Sequence, residues 1–276
     1  MSKNRRAIST AISTVILTGA VIVLLLIAIV FANNFLDARL AENEFSAMKQ
    51  FMQTTGLQMD DVSWTIGRTQ TIRYASRYAN VNFESVALNY SVYVDKGSGY
   101  VFLANFSTGI IMFNMPINQY TISNNYYEGI APSSDNSFLQ EGTSAPVCHV
   151  YVMEKIPMND GNYIRVVAAP SIRMLNSTIS TASENQNYFK FYLPILSSGT
   201  NPRYSQSITL VGKTVSVLTQ SGVNRIKIDV VAPKTSLGFD LDFFHFKNVE
   251  EVVDVPDGST IQFYTGYVEV SLGLYI

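Results

Sequence analysis

The sequence is poor in the residue types that most often carry chemistry. Its 276 residues include one cysteine, Cys148, and two histidines, His149 and His245. A single cysteine excludes an intrachain disulfide, and no Cys/His spacing typical of zinc is present. There is also no phosphate-binding glycine loop, dinucleotide fingerprint or nucleophile elbow. We therefore predict no catalytic residue, no cofactor and no metal site, and the sequence does not favour an enzyme.

Charge is scarce as well. Asp, Glu, Lys and Arg make up 14% of the residues, and the formal net charge is −2, whereas average soluble proteins are about 25% charged. No Lys/Arg cluster follows Arg6, so the chain lacks the electrostatic footprint of a nucleic-acid-binding protein. A surface carried by Ser, Thr, Asn, Gln and Tyr suits an extracellular wall or filament.

The strongest feature that is present is an apolar block at residues 15–32. As a helix it is long enough to cross a hydrocarbon core of about 30 Å. Basic residues precede the block and acidic residues follow it, so the positive-inside rule places the N-terminus in the cytoplasm and the C-terminal part outside. A secretory signal cleaved behind the block is disfavoured, because the block exceeds the usual apolar region and no small-residue site follows it.

The residues just before the apolar run resemble a known signal. Arg6-Ala7-Ile8-Ser9, followed at once by a long apolar helix, resembles the class III signal peptide of archaeal type IV pilins and archaellins. The resemblance covers about the first sixty residues. It implies that a prepilin peptidase processes the chain at Arg6, Ala7 and Ile8, cutting between Ala7 and Ile8, so that the helix stays in the mature protein. The fifth residue after that cut is Ile12, where bacterial type IV pilins usually carry glutamate and archaeal members often do not.

The resemblance implies a structural function. The expected partners are membrane lipid, the prepilin peptidase, and a homo-oligomer or other pilin subunits contacted through the N-terminal helix. The protein would be anchored in the membrane or assembled into an extracellular filament for adhesion or surface display. The alternative is a single-pass anchored extracellular binding domain that never polymerises, since an anchor needs only the apolar block. A membrane-anchored hydrolase is a third hypothesis, for which the sequence offers no catalytic site.

Beyond Asp37 the helical pattern becomes one-sided. The apolar stripe comprises Ala41, Phe45, Met48, Met52 and Thr55. Their spacing of three and four residues predicts an amphipathic helix that lays this stripe against a head domain. Gly56 predicts the end of the helix.

The rest of the chain is β-rich. From residue 61 on, short runs of Val, Ile, Tyr, Phe and Thr alternate with turn residues and predict about a dozen strands. The fold class is therefore α+β, a long N-terminal hydrophobic helix followed by a mainly antiparallel, β-sandwich-like head. We divide the chain into a signal peptide at residues 1–7, helix and stem at 8–59, and head at 60–276. A loop-like stretch at residues 123–146 is a candidate boundary between two sub-domains.

Three local predictions concern the head. Residues 241–246 read as a strand, which would place Asp240 and Asp242 on one face. The segment 173–183 reads as a short helix or a covering loop. Cys148 and His149 are adjacent in a predicted strand and should face opposite sides. Asp240 and Asp242 together with a later acidic cluster could chelate calcium, but a solvated surface explains them more simply. The later cluster consists of Glu250, Glu251, Asp254 and Asp257.

Three Asn-x-Ser/Thr sequons fall in the region predicted to lie outside the cell. They begin at Asn89, Asn105 and Asn176. Each is a possible glycosylation site, and chance occurrence in a chain rich in Asn and Ser is an equal alternative.

Overall fold

The structure is a computed structural model that describes residues 4–180, 185–200 and 206–273, with side chains from residue 12 onward. The chain divides into two compact units, Met1–Glu44 and Phe45–Ile276. Helix α1 spans Asn4–Ser63. It contains no proline, so nothing in its sequence interrupts the backbone hydrogen-bond ladder.

The predicted end of the helix at Gly56 is wrong. Helix α1 continues to Ser63, and Gly56 instead lies against the sheet. A Cβ atom at this position would stand 2.9 Å from Cγ2 of Val150 and 3.4 Å from Sγ of Cys148. The glycine therefore allows the helix to approach a strand closely, which is a packing requirement and not a stop signal.

The remainder of the chain forms eleven strands and two short helices in its described part. The strands are β1 (Thr69–Arg73), β2 (Asn80–Asp95), β3 (Tyr100–Pro116), β4 (Tyr126–Ala131), β5 (Leu139–Glu141), β6 (Cys148–Glu154), β7 (Tyr163–Pro170), β8 (Ile172–Ser180), β9 (Asn185–Ser198), β10 (Ser207–Val231) and β11 (Glu250–Leu272). A 3-10 helix at Thr235–Leu237 and helix α2 at Leu241–Phe244 lie between β10 and β11.

All eleven strands belong to one hydrogen-bonded sheet. Its order is β4-β6-β7-β3-β2-β10-β11-β9-β8-β5, with β1 paired to β10 outside this path. Most neighbours are antiparallel, while β9 with β11 and β5 with β8 are parallel. The α+β class and the mainly antiparallel sheet are confirmed. A sandwich is not confirmed, because the strands form one continuous sheet.

The sheet bends back so that β3 faces β9. Thr108 of β3 donates from Oγ1 to the carbonyl of Pro194 at 3.3 Å and accepts from the amide of Leu196 at 2.9 Å. Close by, the rings of Phe106 and Phe263 stack with centroids 5.0 Å apart. The space between the facing strands is filled by the main hydrophobic core, to which β2, β3, β6–β11 and α2 contribute.

Strands β3, β6 and β7 are buried on both faces. In β3, Ile110 and Met112 point into the main core, while the alternate residues Ile111 and Phe113 are equally buried on the opposite face. That opposite face meets the helix, since Phe113 lies 6.3 Å from Phe45 between ring centroids. Because both faces are buried, the sequences of these strands are nearly continuous apolar runs and do not alternate between apolar and polar residues.

Several predicted elements differ from those observed. Residues 241–246 are not a strand: Asp240 caps α2 by accepting a hydrogen bond from the amide of Phe243 at 3.0 Å. Within the segment 173–183, residues 173–180 are neither a helix nor a loop. They belong to β8, which pairs with β9. The loop-like stretch 123–146 contains β4 and β5. Strands β3, β10 and β11 are long, at 17, 25 and 23 residues, where the sequence predicts only short runs.

The C-terminal end of α1 requires glycine in the two strands beneath it. A Cβ at Gly212 would lie 2.5 Å from the carbonyl oxygens of Val62 and Thr65, and one at Gly266 would overlap the carbonyl of Ser63. Glycine in a strand normally costs stability relative to alanine. At these two positions alanine should be less stable than glycine, because the added methyl group meets backbone that cannot move aside.

We therefore expect Gly212→Ala and Gly266→Ala each to lower the free energy of unfolding by about 1–3 kcal/mol, the usual cost of overpacking. The measurement is urea unfolding of the full chain in detergent, followed by fluorescence of Trp64, the one tryptophan. Gly19→Ala is the matched control, because nothing lies within 4 Å of a Cβ added there. Stability of Gly212→Ala and Gly266→Ala equal to that of this control would contradict the packing described.

Candidate functional site: the apolar helix and its stem

The N-terminal part of α1 exposes apolar side chains on every side. Every large hydrophobic residue between Ile12 and Leu40 has between 47% and 74% of its surface exposed. Among the described residues this is the one helix long and apolar enough to span a membrane by length and composition. An apolar surface that surrounds a helix indicates an apolar environment, either lipid or other helices.

The two ends of this apolar segment carry charged residues. At its C-terminal end Arg39 pairs with Glu42 at 2.7 Å and lies 5.3 Å above the ring of Phe35. At its N-terminal end the backbone of Arg6, Ala7 and Ile8 is helical. The side chains of these three residues fall outside the described part, as do residues 1–3, so the processing site stays a prediction.

We call residues 45–63 of α1 the stem. Its buried stripe contains the predicted Phe45, Met48, Met52 and Thr55 and continues through Met59 and Val62. The successive steps are three and four residues, the spacing that keeps one helical face toward a partner. The predicted stripe is confirmed, including Ala41, which is also buried.

Polar contacts hold the stem at two points. Lys49 donates to Glu128 of β4 at 2.8 Å, and this bond is the largest cause that holds the pKa of Glu128 below its ordinary value. Near the end of the stem, Asp60 accepts from Arg173 of β8 at 2.8 and 3.1 Å and from the indole of Trp64 at 2.7 Å. No local sequence pattern signals the pairs of Lys49 with Glu128 and of Asp60 with Arg173, because their partners are far apart in the chain.

The two histidines lie on either side of one tyrosine. His149 Nε2 is hydrogen-bonded to the hydroxyl of Tyr127 at 3.0 Å, and the ring of His245 lies 4.2 Å from the ring of Tyr127. Burial lowers the pKa of His149 to about 4, lowers that of His245, and raises that of Tyr127 to about 12. His149 is buried, whereas Tyr127 and His245 are half-buried, and both histidines contact the tyrosine.

Cys148 and His149 face opposite sides of β6, as predicted. Cys148 lies beside Gly56 of the stem, while His149 points to Tyr127. Burial raises the pKa of the Cys148 thiol, so the neutral thiol is the stable form there. A Cys-His pair is therefore excluded by geometry.

The acidic residues do not converge. Asp240 caps α2 and pairs with Lys155 at 2.5 Å, so the predicted shared strand face with Asp242 is wrong. In the later cluster, Glu250 pairs with Lys227 and Asp254 with Arg225. Within residues 12–180, 185–200 and 206–273, no group of three or more His, Cys, Asp or Glu could hold a metal ion.

The three sequons differ in accessibility. Asn105 and Asn176 are exposed, and Asn176 donates to Glu141 at 3.3 Å. Asn89 is half-buried, and its Oδ1 is enclosed without a hydrogen-bond partner in the described structure. The local environment therefore separates sites that the sequence pattern treats alike.

Comparison with protein-family models, curated proteins and solved structures finds no match. The functional assignment accordingly rests on the chemistry of the chain itself.

Acid should destabilise the head through His149. Because its pKa is about 4 in the folded chain and about 6.5 when unfolded, the unfolded state binds the proton first as pH falls. Stability is therefore retained above pH 6.5 and is lost between pH 6.5 and 4, by about 2 kcal/mol at pH 5. Urea unfolding at pH 7.5 and 5 should show this loss, and His149→Gln should remove most of it.

His245→Asn is the control for that measurement. His245 has a positive φ of 50°, which asparagine tolerates, and it is less buried than His149. This variant should remove a smaller part of the pH dependence. An unchanged pH dependence in His149→Gln would contradict the burial of this imidazole.

Glycan attachment, in cells that modify such sequons, should follow exposure. We expect modification at Asn105 and Asn176 and none at Asn89, because Asn89 is half-buried with an enclosed Oδ1 whereas the other two are exposed. Intact-mass measurement of the secreted or membrane-bound chain, compared with Asn105→Gln, Asn176→Gln and Asn89→Gln, counts the glycans. A mass loss in the Asn89 variant would oppose this ranking.

Proposed function

We propose that the chain is a type IV pilin-like surface protein of the archaeal kind. Its apolar helix would reside in the membrane and then pack against the helices of other copies or of other pilin subunits. The β-rich head would lie outside the cell and serve adhesion or surface display. The observation that carries the proposal is a helix with exposed apolar residues all round whose continuation, the stem, is built into the head.

The distribution of apolar residues favours several partners over one. A helix that binds a single partner needs one stripe, as the stem shows, whereas residues 12–40 are apolar around the axis. Exposing such side chains to water would cost about 25 cal/mol for each Å², so residues 12–40 require lipid or other helices around them. Thr14, Thr18 and Gly19 are small and would let neighbouring helices approach closely.

Three further parts of the proposal rest on sequence. Cleavage between Ala7 and Ile8 by a prepilin peptidase would leave the apolar helix at the new N-terminus. The chain would act by assembly, with no catalytic residue, no cofactor and no nucleic-acid partner. We also describe the head as sandwich-like, a description supported by the way β3 faces β9 across the main core.

A second function has the same support from the helix. A single-pass anchor carrying an extracellular binding domain would need the same exposed apolar surface, without polymerising. The two functions differ in whether copies contact one another through residues 12–40.

The first test is the N-terminus of the native protein. We expect mass spectrometry of the chain from its own cells to find Ile8 as the first residue. Ala7→Leu should block the cut, because the residue before it must be small, while Ala11→Leu inside the helix should be processed normally. A mature chain beginning at Met1 or Ser2 would contradict processing, and surface filaments lacking this subunit would favour the anchored alternative.

A further inference from the structure

One segment of β10 has an open edge. Strand β10 pairs with β11 along residues 208–229. On its other side it pairs with β1 only at residues 207–211 and with β2 only at residues 225–231. In the described part of the chain, no strand therefore covers that side of residues 214–220, and their outward N–H and C=O groups can bind a further strand.

The open segment has the composition of a pairing strand. It reads Thr-Val-Ser-Val-Leu-Thr-Gln and contains no charge, proline or glycine. The register shifts of β10 against β11 fall at its two ends and not inside it. Natural sheets usually protect edges with lysine, proline or bulges, and this segment carries none of them. Val217 at its centre is 49% exposed.

A second stretch of edge is less suited to pairing. Residues 100–107 of β3 pair with β2 alone, but their register shifts between Val92 and Tyr93 of β2. A shift of this kind bends the strand and interrupts its row of donors and acceptors. The β10 segment has no register shift within residues 214–220.

The chain itself limits what can enter the open edge. At one end the amide of Gly67 donates to the carbonyl of Gly212 at 2.7 Å. At the other end the turn between β2 and β3 reaches Asn224 beside Gly97. The opening between them admits about nine extended residues, or about 30 Å of strand. A helix or a folded surface would not satisfy the backbone groups there.

We propose that residues 214–220 pair in antiparallel fashion with the same segment of a second copy, with Val217 opposite Val217. Self-pairing suits this edge because no charged residue would meet its like, and Lys213 at its end is already paired with Glu269 at 3.1 Å. Because this edge carries no charge, it cannot select a strand of another protein by charge. The same segment of a second copy offers an unpaired backbone edge of equal length and the same β-branched side chains. The contact is two-fold and therefore links copies in pairs.

This inference rests on the proposed function in one respect. A seven-residue strand pair is a small interface, and copies held side by side by their helices would meet at a high effective concentration. The edge contact would then organise the heads of subunits already associated through α1.

The test is cysteine cross-linking of the full chain in its native membrane. Val217→Cys should give a disulfide-linked dimer under mild oxidation, because opposed residues of antiparallel strands bring their Cα atoms within disulfide range. Cys148 is buried and should not react. Tyr267→Cys on β11 is the control, since this residue is 36% exposed but its strand is paired on both sides there, with β10 and with β9. Cross-linking at position 217 no faster than at 267 would overturn the proposal.

A charge on the edge provides the second variant. Ser216→Lys in the Val217→Cys background places lysines of both copies near the two-fold axis, and the dimer yield should fall roughly fivefold. Unchanged Trp64 fluorescence would show that the head remains folded. An undiminished yield would mean that the thiols of Val217→Cys meet by random collision, and it would also overturn the proposal.

A reporter on the helix separates the two proposals. Val23→Cys should cross-link if copies pack through α1. Linking at position 23 without linking at 217 overturns the edge pairing and leaves the proposed function standing. Linking at 217 without linking at 23 supports the edge pairing and contradicts helix assembly, and linking at neither position contradicts both.

Discussion

The packing of the stem on one face of the sheet is the constraint on which the rest of the structure depends. Its stripe is buried from Phe45 to Val62. The strands beneath it must therefore be apolar on both faces, because the main core occupies their other side. Close approach also explains Gly56 in the helix and Gly212 and Gly266 in the strands, where any side chain would meet backbone or a packed methyl group. Removing the stem would expose one whole face of β3, β6 and β7.

This constraint gives α1 two chemically distinct segments within one continuous helix. Residues 12–40 expose apolar groups in every direction, whereas the stem exposes polar groups on one side and buries its stripe. The apolar contact between the stem and the sheet is non-directional. The ion pairs of the stem with Glu128 and Arg173 fix its orientation on the sheet.

Hydrophobic periodicity predicted the features that depend on local sequence. It predicted the apolar block, the stripe and the strands that are rich in Val, Ile and Tyr, because burial on one face or two leaves a direct pattern. It failed where a neighbour decides the conformation. The Phe-rich run after Asp240 resembles a strand, yet the cap by Asp240 makes it a helix. Strand β8 is largely exposed and polar, and it forms because β9 lies beside it.

Part of the candidate site could likewise be predicted from the sequence, and part could not. The exposed helix could be predicted from composition, whereas the ion pair of Asp60 with Arg173 could not, because the two residues meet only in the folded chain. The open edge of β10 was also not predictable, since it depends on where β1 and β2 end. Processing at Ala7 and the partners of the helix stay predictions that the fold neither requires nor opposes.

Native-state hydrogen exchange of the full chain tests the central role of the stem most directly. If the stem is part of the buried structure of the head, the amides of residues 45–63 should exchange with the same opening free energy as those of β3, β6 and β7, and all should lose protection together as urea is added. A stem that exchanges at lower free energy while the strands stay protected would show that the head folds without it, and would contradict this account.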